Sequence, residues 1–159
     1  MSHLKLSDLP VEVRNRILNE NHMKPRNPLE HEHQVSVFEW AEANQEKYPF
    51  LEYMFAIPNG GGRPAKMVKG NDGKWTRFSR EGFKMKKEGQ KAGVPDIFLP
   101  YPKDGWHGLF IEMKRHGGRI RPDQKRWIEY LKQNYFTAVC WNAFEAIHTI
   151  QLYAGIATV

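Results

Sequence analysis

The sequence predicts an α/β domain, and three observations carry that reading. Two short apolar runs, Ile97-Phe98-Leu99 and Leu109-Phe110-Ile111, are bounded by Gly and Pro, as buried strands are. Residues at helical spacing flank them: Glu30, Gln34, Phe38 and Ala41 before, and Gln124, Trp127 and Leu131 after. At 159 residues with 40% hydrophobic side chains, the chain can bury one core.

In chain order, residues 1–27 read as a helical leader preceding a domain over 28–159. Ser7-Asp8-Leu9-Pro10 has the cap and early proline of a helix start. Val11, Ile17 and Leu18 give a partly apolar stripe, which Lys24-Pro25-Arg26-Asn27-Pro28 stops. A stronger helix is expected from about Leu29 to Gln45. Tyr53 to Ile57 reads as a strand ended by Pro58, then a tight glycine loop, Asn59 to Gly62, and Arg63. Backbone N–H groups of such a loop, beside a cation, can approach a phosphate, although any strand end needs similar punctuation.

From Lys66 to Lys91 the chain is basic: Lys66, Lys69, Lys74, Arg77, Arg80, Lys84, Lys86, Lys87 and Lys91 face only Asp72, Glu81 and Glu88. Asn71-Asp72-Gly73 signals a hairpin, with Trp75 and Phe78 as candidate anchors, and Ser79 can cap a short helix through about Glu88. Cations interleaved with aromatics suit a nucleic-acid backbone track, and equally a solvated hairpin. Pro100 to Gly105 forms a turn, and Pro122 opens a helix. Gln124 leans toward that helix's inward stripe and needs a polar partner. Phe136 to Trp141 is a last strand. Asn142-x-x-Glu145 then starts a final helix with Ile147, Ile150 and either Leu152 or Tyr153 inward.

Composition excludes several classes. No apolar run is long enough to span a membrane, and no secretory apolar stretch opens the chain. The single Cys140 rules out an internal disulfide framework and a cysteine zinc site, so the chain reads as cytoplasmic. A net charge of +6 favours a polyanionic partner.

The chemistry concentrates at Gly93-Val94-Pro95-Asp96 and Glu112-Met113-Lys114. Residues i and i+2 of a strand share a face about 7 Å apart, so Glu112 and Lys114 point the same way. If the two apolar runs are antiparallel neighbours, Asp96 sits beside Glu112. Paired carboxylates repel unless a positive charge lies between them, and a hard divalent cation with oxygen ligands fits. Lysine on the same edge can hold a water or meet a phosphate. The bland alternative is a solvated Glu-x-Lys face.

Four stretches occur in order: Asn59-Gly60-Gly61-Gly62-Arg63, Lys91-Ala92-Gly93-Val94-Pro95-Asp96, Gly108-Leu109-Phe110-Ile111-Glu112-Met113-Lys114, and Pro122-Asp123-Gln124-x-x-Trp127. Together they resemble the VRR-NUC branch of the PD-(D/E)xK nucleases, especially small stand-alone phage and prophage members, over roughly residues 28–155. That resemblance implies a restriction-endonuclease-like core, a small mixed sheet flanked by helices, with a basic insertion at about 64–90. It implies a Mg²⁺- or Mn²⁺-dependent DNA endonuclease, selective for Holliday junctions or other branched DNA, acting as a homodimer in a bacterial or phage-infected cell. Asp96, Glu112 and the Met113 carbonyl would hold metal. An acidic residue of the first helix would join them; Glu30 fits the spacing, with Glu32 the alternative. Lys114 would position the attacking water and Gln124 would orient a ligand or the lysine. Arg63, Lys84, Lys86, Lys87 and Lys91 would contact DNA. Many relatives carry Ser or Thr where this chain has Arg121, which puts the helix cap in doubt. The alternatives are a non-catalytic basic nucleic-acid-binding module on the same scaffold, and a restriction-like enzyme, for which no specificity domain is evident.

Overall fold

A computed structural model describes residues 29–58 and 65–156. The leader, the glycine loop and Arg63 lie outside the described residues. Helix α1 (Glu30–Asn44) leads, followed by a 3-10 helix (Pro49–Tyr53) and strand β1 (Phe55–Ala56). A hairpin, β2 (Lys66–Lys69) and β3 (Trp75–Phe78), and helix α2 (Arg80–Lys87) come next. Then follow β4 (Ile97–Leu99), β5 (Leu109–Met113), α3 (Pro122–Leu131), β6 (Phe136–Cys140) and α4 (Ala143–Ala154). None of the described helices is long and apolar enough to cross a membrane.

The main sheet is mixed, in the order β1-β4-β5-β6. β1, β4 and β5 pair antiparallel, with Ile97 opposite Ile111, and β6 runs parallel to β5. A parallel neighbour requires a crossover, which α3 supplies. Ile97, Leu99, Leu109, Ile111 and Met113 alternate onto one face and are all at most 1% exposed. Val37 and Ala41 of α1 and Ala146, Ile150 and Tyr153 of α4 close over that face. Tyr153, not Leu152, turns inward, and its hydroxyl donates to the Tyr101 carbonyl at 2.6 Å. Cys140 is a buried core thiol, pushed up to about 11 by burial.

Local signals explain most boundaries. Asn142 Oδ1 accepts from the Glu145 N–H at 2.8 Å, while Glu145 reaches back to the Trp141 N–H at 2.8 Å. Ser79 Oγ accepts from Gly82 N–H at the start of α2. Two expectations need correction. Tyr53 ends the 3-10 helix instead of opening a strand, leaving β1 two residues long. Pro49 opens that helical turn, which buries Leu51, and the chain becomes extended only at Met54. Trp75 and Phe78 anchor nothing in the core: they are 63% and 38% exposed, because the hairpin pairs as its own two-stranded sheet.

Candidate active site

The antiparallel register of β4 and β5 decides the site. Ile97 and Ile111 point into the core, so the neighbouring Asp96 and Glu112 point to the opposite face. Asp96 Oδ2 accepts from the Met113 N–H at 2.9 Å, which ties the end of β4 to β5. Glu30, at the first turn of α1, adds a third carboxylate. One oxygen each from Glu30, Asp96 and Glu112 lies within 4.8 Å of the others.

Lys114 lies among these groups. Its Nζ donates to Glu112 Oε1 at 2.5 Å, to the Met113 carbonyl at 2.7 Å and to Glu30 Oε1 at 3.4 Å. The ammonium of Lys114, a residue 5% exposed, therefore engages three of the four groups that the resemblance nominates as ligands. Gln124 Nε2 also donates to Glu112 Oε1, and Gln124 Oε1 accepts from the Arg121 N–H at 2.9 Å. The buried glutamine thus has its polar partner, and it does the capping that Arg121 does not.

Glu112 is fully buried, and burial raises its carboxyl from 4.5 to about 7 despite the hydrogen bond from Lys114; the neighbouring Asp96 charge adds to the rise. Its Oε2 is buried with no hydrogen-bond partner among the described residues. A buried carboxylate oxygen in that condition costs about 1–3 kcal/mol or more, which a cation would relieve. Three carboxylates and a backbone carbonyl are hard oxygen donors, so the residues present fit Mg²⁺ or Mn²⁺. Glu32 takes another place: its Oε2 accepts from the Leu29 N–H at 2.6 Å and caps α1.

Two supporting residues were not singled out as site residues from sequence. Gly93 has φ +85°, and a Cβ there would come within 2.7 Å of the Asp123 backbone. Trp127 Nε1 donates to the Ala92 carbonyl at 3.0 Å. The Lys-Ala-Gly-Val-Pro-Asp turn is thus pressed against the start of α3, holding Asp96 and Gln124 in one assembly. The Trp at i+3 from Gln124 was the visible signal.

The nominated nucleic-acid contacts among the described residues are exposed. Lys84 pairs with Glu88 at 3.7 Å, Lys87 Nζ lies 4.8 Å from the centre of the Phe83 ring, and Lys86 and Lys91 face solvent. A cavity of about 350 Å³ joins α2 to the site's flank; Met85, Gln90 and Lys91 line it with Ile57 and Val94.

Residues 67–143 match the sequence model of the VRR-NUC domain, a span containing Asp96, Glu112, Lys114 and Gln124 but not Glu30. A solved structure described as a VRR_NUC domain protein is similar at 27% identity and a TM-score of 0.62, covering 83% of this chain and 93% of that one. No curated protein matches the chain. The sheet, its flanking helices and both comparisons agree: residues 67–143 match the VRR-NUC domain, and the fold is similar to that of a VRR_NUC domain protein.

Proposed function

We propose that the protein is a metal-dependent endonuclease that hydrolyses phosphodiester bonds in branched DNA and works as a homodimer. The observation that carries this reading is the convergence of Glu30, Asp96 and Glu112 oxygens within 4.8 Å, with the Lys114 ammonium among them.

Glu30, Asp96, Glu112 and the Met113 carbonyl are the residues that would hold Mg²⁺ or Mn²⁺. Bound there, the cation supplies Lewis acidity toward phosphoryl oxygens and lowers the pKa of water. The chain's own groups do the rest. Lys114 orients the attacking water and offsets negative charge as it develops on the phosphoryl oxygens. Water oxygen bonds to phosphorus and gives up a proton to solvent, the bond to the leaving sugar oxygen breaks, and that oxygen takes up a proton from solvent. Gln124 holds Glu112 Oε1 and so fixes that rotamer, which leaves Oε2 buried and without a hydrogen-bond partner among the described residues. Lys84, Lys86, Lys87, Lys91 and Arg63 neutralise backbone phosphates.

The described residues of each chain hold one such constellation, and resolving a four-way junction needs two symmetric cuts. Two chains about a two-fold axis are the simplest arrangement. The test is incubation of the purified protein with labelled junction, flap, fork and duplex DNA, in Mg²⁺, Mn²⁺ or EDTA, with sedimentation at the same concentration. Cleavage that EDTA abolishes, faster on branched DNA and by a species of dimer mass, is expected. Binding without cleavage under every condition would instead make the protein a non-catalytic nucleic-acid-binding module. A monomer cutting junction and duplex equally would remove the branched-DNA assignment.

A further inference from the structure

Asp96 and Glu112 share their face of the sheet with a file of aromatic rings. Alternation places Phe98 on the face of Asp96 and Phe110 on the face of Glu112. Register then sets Phe55 opposite Phe98, and Phe98 opposite Phe110. The Phe98 and Phe110 rings stack at 4.3 Å and 21°. Tyr135 meets both edge-on, at 5.8 and 5.1 Å, and Phe55 meets Phe98 edge-on at 5.6 Å. Gly108 makes room for this packing: a Cβ there would lie 2.8 Å from Phe98 Cε2.

Exposure grows along the file, from Phe110 at 9% to Phe55 at 50% on the edge strand. Scattered exposed phenylalanines need no explanation. Here the exposed ring of Phe55 rests edge-on against Phe98, itself packed on Phe110 and Tyr135, in a row of rings one same-face step, about 7 Å, along the strands from the row of Asp96 and Glu112. A single nucleotide can reach from a phosphate at the carboxylates to that ring.

We propose that Phe55, backed by Phe98, is a stacking shelf for an unpaired nucleobase of the strand bound at the carboxylate cluster. The proposal rests on the endonuclease reading for the strand's position. It deepens that reading by naming the substrate class: DNA unpaired at or beside the cut. A base inside a duplex has both faces covered by its neighbours and cannot use the shelf. An extruded or single-stranded base can, and base–aromatic stacking of this kind tolerates any sequence.

The test uses full-length Glu112→Gln protein in EDTA, so that nothing is cut. The probe is an oligonucleotide carrying 2-aminopurine, single-stranded or annealed into a duplex. Binding of the single strand should quench the fluorophore. In the same background, Phe55→Leu should abolish quenching and weaken single-strand binding about tenfold, with duplex binding unchanged. Phe55→Tyr, which restores a ring, should restore both. Circular dichroism would establish that each variant is folded. Absence of quenching would overturn the proposal, as would equal losses on single strand and duplex, or a Phe55→Leu protein that behaves like its parent. Quenching in this background, beside a wild-type protein that cuts no DNA in Mg²⁺ or Mn²⁺, would uphold the shelf while refuting the endonuclease reading, so the two failures are separable.

Discussion

Glu112→Gln should make the metal-free protein more tolerant of alkaline pH. Glu112 is completely buried, and burial raises its carboxyl from 4.5 to about 7. In the unfolded chain the proton leaves near 4.5; in the folded chain it leaves near 7. Between those values the folded state holds the extra proton. The associated stability is fully present below 4.5, declines across the window and is lost above about 7. At about 1.36 kcal/mol per decade, the whole decline is about 3 kcal/mol. For a chain of this size, 1 kcal/mol moves the melting temperature by about 2–4 °C, so the decline spans about 6–12 °C.

Glutamine has no proton to lose. Thermal melts in EDTA from pH 4.5 to 8 should therefore show the wild type losing stability relative to Glu112→Gln as pH rises. Titrating groups distant from Glu112 act on both proteins and cancel in the difference. Mg²⁺ at pH 8 should stabilise the wild type more than the variant, by about 2.7 kcal/mol at a hundred times the dissociation constant if the variant does not bind. Parallel pH profiles in EDTA would refute the claim that an ionised, buried Glu112 costs the fold anything.

Asp96→Asn should abolish metal-dependent cleavage and leave DNA binding largely intact, since cations supply most of that affinity; full activity in the purified variant would remove Asp96 from the site. Lys114→Ala should slow single-turnover cleavage by about 10²-fold or more. It should also lower the metal-free melting temperature, because the buried Glu112 loses its counter-ion. A variant that lost only DNA affinity would make Lys114 a docking residue. Neutralising Lys84, Lys86 and Lys87 should flatten the salt dependence of DNA binding by up to about 0.9 log units per lost phosphate contact. An unchanged slope would leave α2 a solvated helix.

Strand-borne parts of the site were legible in the sequence because strand alternation has a period of two. Once Ile97 and Leu109-Phe110-Ile111 read as buried strands, Asp96 and Glu112 could face each other in only one way. The glutamine on an inward stripe was legible for a similar reason. A buried amide needs a partner, and the facing strand offered one. Other features depend on contacts distant in sequence. Glu30 and Glu32 lie in the same turn of α1, and only the packing of α1 against β5 sends Glu30 to the cluster and Glu32 to its own N-terminus. Trp75 and Phe78 look like anchors by composition, yet the hairpin carrying them finds no core to enter. The aromatic file was hidden because Phe55, Phe98, Phe110 and Tyr135 come from four separate segments; register aligns the three phenylalanines, and Tyr135 joins them by packing.

Gly93→Ala should disable the site without touching any group in it. The residue has φ +85°, a region that costs a non-glycine residue about 1–2 kcal/mol. A Cβ would also fall 2.7 Å from the Asp123 carbonyl carbon and 2.9 Å from its oxygen, both backbone atoms of the first turn of α3. Backbone cannot swing aside as a flexible side chain does, so the turn and the helix must separate. Asp123 directly precedes Gln124, and Trp127 bonds the same turn through Ala92. Separation therefore draws the Gln124 amide off Glu112 and frees that carboxylate's rotamer. Asp96, two residues beyond Val94, moves relative to Glu112 for the same reason. Gly93→Ala should thus lower the cleavage rate at saturating metal and DNA, with DNA affinity nearly intact. Gln124→Ala should reproduce part of the loss. Should Gly93→Ala cut at the wild-type rate, the contact between this turn and α3 would have no part in holding the carboxylates, and Gln124 would owe its place to α3 alone.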